Sequence, residues 1–257
     1  MISLKDLAID AAIEASKSIL AIYEKPFDVI VKSDLSPLTQ ADLESDKIIR
    51  SILIKSQIPI ISEEVEVSDS DVKRFWCVDP LDGTKEFVNK SGEFAINIAL
   101  IEDGMPVFGL ICAPILHCLW YSSENEVIKL DYLNQTKEIY RADNSPKSEW
   151  KLLSGTLSNE GQEAYNSFLK SLPESKKVVD KHVGSSIKFA LMSEAKADVY
   201  LRFGRTYIWD TAAGHALLRC IGGDILDMQD KKSLTYSAKK LANPHFIAFT
   251  QSGKLFF

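Results

Sequence analysis

Histidine and cysteine are scarce in this chain, with four of each among 257 residues. No two cysteines form a C-x-x-C pair and no histidines stand at metal-ligand spacing, which sets aside structural zinc and dithiol redox chemistry. Cys77, Cys112, Cys118 and Cys220 all sit in apolar stretches. They read as buried free thiols in a reducing compartment. Basic residues are not in excess either: 30 Lys and Arg face 36 Asp and Glu, a net charge of -6. That balance argues against a sequence-independent nucleic-acid binder. It still admits a small anion, because a local pocket or a metal ion reverses the sign. No apolar run approaches the ~20 residues of a membrane span. The opening "MISLKDLAIDAAIEASKSILAIYEK" carries acids and lysines throughout, unlike a signal peptide. The expectation is a cytoplasmic protein, with peripheral contact at the inner membrane face left open. A P-loop lysine motif, a dinucleotide glycine fingerprint and a nucleophile elbow are also absent.

What is present is ordinary globular composition, 46% hydrophobic and 26% charged, in a chain long enough for one large domain or two intimate halves. Leu4, Leu7, Ala8, Ala11, Ile13 and Ala15 predict an amphipathic helix to about Tyr23. A second helix is expected after a polar loop, capped by Thr39 or Asp42. "IPIIS" and "FWCVD" read as short buried strands. "FAINIALIEDGMPVFGLICAPILHCLWYSS" reads as an antiparallel meander turning at Glu102-Asp103-Gly104. The pattern breaks around "RADNSPKSEW". Beyond it, strands and helices alternate. The expected division is an α+β half over residues 1–145 and an α/β half over 146–257.

Acids mark the ends of these elements. "WCVDPLDGTKEF" ends an apolar run in Asp79, and an unpaired carboxylate there is costly. Pro80 restricts the backbone so that Asp79, the Leu81 carbonyl and Asp82 can point to one centre. Rigid oxygen ligands are what Mg²⁺ demands. Gly83 and Thr84 follow, with backbone N–H groups and a hydroxyl suited to a phosphate oxygen. "PIISEEVE" ends a strand in Glu63, a third carboxylate for a multi-metal site. "YIWDTAAGHALL" places Asp210 at a helix start, where the expected role is N-cap with one oxygen to spare. His215, on that helix, reads as a packing residue or local donor. Each motif alone has a plain reading as a turn, a solvated pair or a cap. Together they form a pattern for Mg²⁺-assisted phosphate-ester hydrolysis.

"DPLDGTKEF", with "ISEE" before it and "WDTAAGHA" after it, resembles the inositol monophosphatase superfamily over essentially the whole chain. "GEFAINIALIEDGMPVFGLICAP", "VGSSIKF" and "YLRFGRTYIWDTAAGHA" are closer to its bacterial 3′(2′),5′-bisphosphate nucleotidase branch. The resemblance implies a layered α/β/α/β/α sandwich and two or three Mg²⁺ ions. It implies removal of the 3′-phosphate of 3′-phosphoadenosine 5′-phosphate and inhibition by lithium. Glu63, Asp79, Leu81, Asp82 and Asp210 would hold the metals. Thr84, bonded toward Asp42, would orient the attacking water with Glu63. Lys32 and Asp42 would belong to a loop closing over the site. Gly83 and Thr84 would bind the scissile phosphate. Gly184, Ser185 and Lys188 would hold the nucleotide, with Lys188 on the second phosphate and Asp210 touching substrate. Animal and yeast relatives carry a Ser-Arg-Ser-His-like stretch where this chain has "LLSGTLSNEG". Ser154 and Ser158 are candidates for part of its role. Arg202 and Arg205 are further cations for the second phosphate. Two other readings stay open at this point. One is an inositol- or fructose-phosphate phosphatase, and the other is a phospholigand-binding module without turnover. Monomer and homodimer are equally open.

Overall fold

The computed structural model describes residues 3–31, 37–65, 71–143, 145, 149–155, 159–172 and 178–256. The chain order is α1 (Leu4–Tyr23), β1 (Val29–Val31), β2 (Pro37–Thr39), α2 (Gln40–Leu53), β3 (Ile60–Ser62), β4 (Arg74–Asp82), α3 (Thr84–Val88), β5 (Ala95–Glu102), β6 (Met105–Ala113), β7 (Cys118–Ser123), β8 (Glu126–Asp131) and β9 (Thr136–Tyr140). It continues β10 (Trp150–Ser154), α4 (Asn159–Ser171), β11 (Val178–His182), α5 (Ile187–Ser193), β12 (Val199–Arg202), α6 (Ile208–Cys220), β13 (Asp224–Asp227) and β14 (Phe246–Phe249).

Strands β3 to β9 form one seven-stranded sheet in sequence order, antiparallel except for the parallel β3–β4 pair. The second sheet has the order β11-β10-β12-β14-β13, with β10 parallel to both neighbours and β14 antiparallel to both of its own. The alternation of side chains along each strand then fixes three layers of packing. On one face of the large sheet, Trp76, Val78, Ile96 and Ile98 meet Ala8, Ala11, Ala15 and Ile19 of α1 and Ile49 and Leu53 of α2. On its other face, Phe75, Cys77, Ala99 and Ile111 meet Phe189 of α5 and Ala212, Ala213 and Leu217 of α6. Tyr200 and Phe246 of the small sheet close the same core from the far side. Beyond them, Leu152, Val199, Leu201 and Ile247 pack on Tyr165 and Phe168 of α4. The layers are α/β/α/β/α, as the resemblance implies.

Helix α6 is the middle layer, and its sequence shows why. Residues 208–218 are buried on every side except at Asp210, so the helix lacks the polar face of a surface helix. Its one internal base, His215, is satisfied: Nδ1 lies 2.9 Å from the Tyr236 hydroxyl and Nε2 lies 2.7 Å from Asp224. Burial holds its imidazole below the ordinary histidine value, against the pull of the Asp224 carboxylate. Cys77, Cys112 and Cys118 are buried thiols, whereas Cys220 is half-buried and donates to the Glu124 carbonyl. Among the described residues no helix is long and apolar enough to cross a membrane.

Close approach of α6 to the large sheet depends on Gly109 of β6. A Cβ there would lie 2.3 Å from the Ala213 carbonyl oxygen and 2.7 Å from the Ala216 Cβ. Both obstacles are held within the packed helix, so neither can swing aside. Gly109→Ala is expected to cost about 2 kcal/mol of stability by overpacking, read as a lowered urea midpoint. Unchanged stability would show that α6 can withdraw from the sheet.

Candidate active site

Asp79 and Asp82 lie three residues apart on β4, so in a regular strand they would face opposite sides. The register resolves this. Asp79 pairs with Asn97 and Asp82 with Ala95, which leaves one extra residue on β4 between the two pairs. Pro80, which has no N–H to give the ladder, lies within this bulge. The bulge brings both carboxylates to the α6 side. Asp210 meets them there: Asp79, Asp82 and Asp210 each place a carboxylate oxygen within 4.8 Å of the others.

Each acid is held by its own element. Asp79 Oδ1 accepts from the Leu81 N–H at 3.0 Å, which stiffens the bend. Gly83 follows at φ 91°, a left-handed conformation in which a Cβ would sit 3.0 Å from the Glu93 carbonyl and 3.1 Å from the Ser185 Cβ. Only glycine fits there without strain. Asp210 departs from the sequence expectation. The N-cap of α6 is Tyr207, and Asp210 is the third helical residue, its Oδ2 accepting from the Tyr207 N–H at 2.7 Å. This is the return half of a capping box, and it still leaves one oxygen for the cluster. Asp42 stands in the same relation to Thr39 on α2, with Oδ2 accepting from both the Thr39 N–H and hydroxyl at 2.8 and 2.6 Å.

Asp42 reaches the bend with its other oxygen. Thr84 Oγ1 donates to Asp42 Oδ1 at 3.0 Å and lies 3.3 Å from the Leu81 carbonyl. Two further residues of α2 buttress the same region: the Ser45 hydroxyl donates to the Pro80 carbonyl, and the Ser62 hydroxyl donates to Asp46. Their i, i+3, i+4 spacing within an apolar helix face is the signal that sequence reading missed.

The electrostatics are those of crowded acids in a dry place. The Asp79 carboxyl is pushed well above the usual range, first by burial and then by Glu63, Asp82 and Asp210. Asp210 is raised well above it too, by burial and then by Asp82 and Glu63. Asp42 is raised chiefly by burial. Such a cluster lowers its free energy by taking up protons or a cation. Rigid, hard oxygen donors without nitrogen or sulfur suit a hard divalent cation.

Two adjoining cavities, of about 270 and 230 Å³, share Asp82, Gly83, Lys85, Glu86 and Asp210 in their walls. The first also holds Glu63, Asp79, Leu81, Thr84 and Arg205. The second holds Gly184, Ser185, Lys188 and Arg202. Lys188 is buried, its Nζ donating to the Val183 carbonyl at 2.9 Å. Burial lowers its ammonium to about 8, opposed by Asp82. A side chain at Gly155 would meet Lys188 Nζ at 3.3 Å and Arg202 Nη1 at 3.4 Å, so both cations converge there. Arg205 is exposed and lies over the Tyr207 ring. Ser154 is buried at the end of β10, its carbonyl accepting from the Val183 N–H, and stands outside both cavity walls. Lys32 and Ser158 lie outside the described residues.

The wider likenesses agree with this geometry. A family model described as "Inositol monophosphatase family" matches residues 3–252. The chain is 36% identical over 250 residues to "3′(2′),5′-bisphosphate nucleotidase CysQ" of Escherichia coli strain K12, spanning 94% of this chain and 97% of that protein. It is 40% identical over 220 residues to the protein of the same name from Buchnera aphidicola subsp. Acyrthosiphon pisum, spanning 82% and 79%. Among solved structures, that of CysQ from Bacteroides thetaiotaomicron superposes with a TM-score of 0.81 at 34% identity, over 95% of this chain and 96% of the other. A strand that bulges to gather two aspartates, a buried helix that supplies a third, and a match over nearly the whole length place this chain in the inositol monophosphatase family.

Proposed function

We propose that this chain is a Mg²⁺-dependent phosphomonoesterase that removes the 3′-phosphate of 3′-phosphoadenosine 5′-phosphate, giving AMP and phosphate. The observation that carries the reading is a pair of cavities meeting at Asp82 and Asp210: one adds the acids Glu63 and Asp79, the other the cations Lys188 and Arg202. A substrate with two phosphates has a use for both. The names of the bacterial relatives, as 3′(2′),5′-bisphosphate nucleotidases, support a nucleotide that carries two phosphates.

In this reading Glu63, Asp79, the Leu81 carbonyl, Asp82 and Asp210 hold two or three Mg²⁺ ions. Bound Mg²⁺ would offset the repulsion between a phosphate dianion and its attacker and make a nearby water more acidic. The chain's own residues do the rest. The Thr84 hydroxyl, with its proton directed at Asp42, keeps lone pairs to accept a proton from the attacking water as it passes its own to the Asp42 carboxylate. The new bond joins the water oxygen to phosphorus, and the bond from phosphorus to the ribose 3′-oxygen breaks in line with it. Gly83 and Thr84 present backbone N–H groups to the scissile phosphate. Gly184 and Ser185 flank the nucleotide. Lys188 and Arg202 receive the 5′-phosphate, and Arg205 lies at the outer rim. A bound phosphate favours the charged ammonium of Lys188, against the burial that lowers it.

Three outcomes follow from these roles. Asp79→Asn is expected to lower kcat by about two orders of magnitude or more, because the acid cluster loses a negative charge and one of the two carboxylate oxygens; phosphate release measures it, and near-parental turnover would overturn the assignment. Against a panel containing 3′-phosphoadenosine 5′-phosphate and inositol 1-phosphate, the bisphosphate should give the higher kcat/KM, with turnover suppressed by lithium. Preference for the inositol ester would transfer the chain to the other branch, and no Mg²⁺-dependent release from any ester would mark a binding module. Metal affinity should fall as pH is lowered from about 8 to about 6, because raised carboxyls take protons in competition with the cation. Calorimetric titration at both pH values reads this directly, and equal affinities would contradict it.

A further inference from the structure

Asp82 is carried by β4 and Asp210 by α6, and the chain between them passes through both sheets. Their spacing therefore depends on contacts made across the middle layer. Asn97 is placed to set it. It lies opposite Asp79 in the β4–β5 ladder, a lone amide in the apolar run "FAINIALI", and is 1% exposed. A buried amide is costly unless both ends are bonded. Here both are. Asn97 Nδ2 donates to the Trp209 carbonyl at 3.2 Å, on the peptide that leads into Asp210. Asn97 Oδ1 accepts from the Ser186 hydroxyl at 2.6 Å. The Ser186 backbone N–H donates in turn to Asp82 Oδ2. The amide has one orientation only, since turning it over would set its oxygen against the Trp209 carbonyl.

We infer that Asn97 and Ser186 are positioning residues, a buried pair that fixes the distance between Asp82 and Asp210 and so sets the affinity of the acid cluster for a divalent cation. The inference rests on the reading of that cluster as a metal site. Asn97 is in neither cavity wall, so it acts only through the acids it spaces. Ser186 contributes twice, by its N–H to Asp82 and by its hydroxyl to Asn97. Ser186→Ala keeps the first bond and removes the second. Asn97→Ala removes the links to both helices.

The test uses Mn²⁺ as the probe, titrated calorimetrically into metal-free full-length protein, beside thermal melting of the same samples without metal. The parent should bind Mn²⁺ and Asp79→Asn should abolish that binding. Ser186→Ala is expected to weaken Mn²⁺ about tenfold with its metal-free melting temperature close to the parent's. Asn97→Ala should weaken it further. Should Asn97→Ala fail to fold, Ser186→Ala alone decides. Parental Mn²⁺ affinity in Ser186→Ala would overturn the inference. So would a loss of affinity that merely tracks a fall in melting temperature, the mark of general loosening. If the parent shows no Mn²⁺ binding that Asp79→Asn removes, the metal reading fails first and takes the inference with it.

Discussion

Three carboxylates within 4.8 Å of one another, one of them fully buried and the other two partly so, form an arrangement that a protein adopts only under compulsion. Left to themselves the acids would separate or neutralise. Much else in this molecule can be read as the means of preventing separation. The bulge at Pro80 turns Asp82 to the side of Asp79. Leu81 holds Asp79 by its N–H, Tyr207 holds Asp210, and Ser186 holds Asp82. Helix α2 braces the bend from behind through Asp42 and Ser45. Each restraint is an ordinary hydrogen bond, but each lies in low dielectric, where it is worth more than at a surface.

The layered architecture serves the same end. An acid on a mobile loop would retreat from its neighbours, whereas Asp210 belongs to a helix packed between two sheets. To move it, α6 would have to slide against Ala99 and Ile111 on one side and Tyr200 and Phe246 on the other. Gly109 permits that helix to approach closely enough for its first turn to reach β4. Packing and electrostatics are therefore parts of one device: apolar burial supplies the force that opposes charge repulsion.

Much of this was legible in the residues. "DPLDGT" showed its nature because a proline and a glycine flank two acids at the end of an apolar run. "WDTAAGHALL" showed a buried helix because it has no polar face. What escaped was whatever depends on the third dimension. Asp210 reads as a cap because a clean helical run follows it, yet the helix begins at Ile208 and its N-cap is Tyr207. Asn97 and Ser186 are single polar residues in unremarkable surroundings, and only their convergence gives them a role. Ser154 is suggested by its place in the sequence, whereas it ends β10 outside both cavity walls. Cys220 sits among apolar residues in sequence but at the frayed end of its helix in space.

The small sheet carries one more consequence. Its strand β14 is made after β13 yet lies between β12 and β13. Strand β14 is the only ladder partner that β13 has among the described strands, so without it β13 has no place in the sheet and β12 shows an unpaired edge. Residues 246–249 join β12 to β13, and Phe246 also belongs to the wall of the second cavity. The wall of the cavity that holds Lys188 and Arg202 is thus completed by the strand that keeps β13 in the sheet. A break in the β14 ladder would therefore loosen that cavity wall and free the edge strand at once.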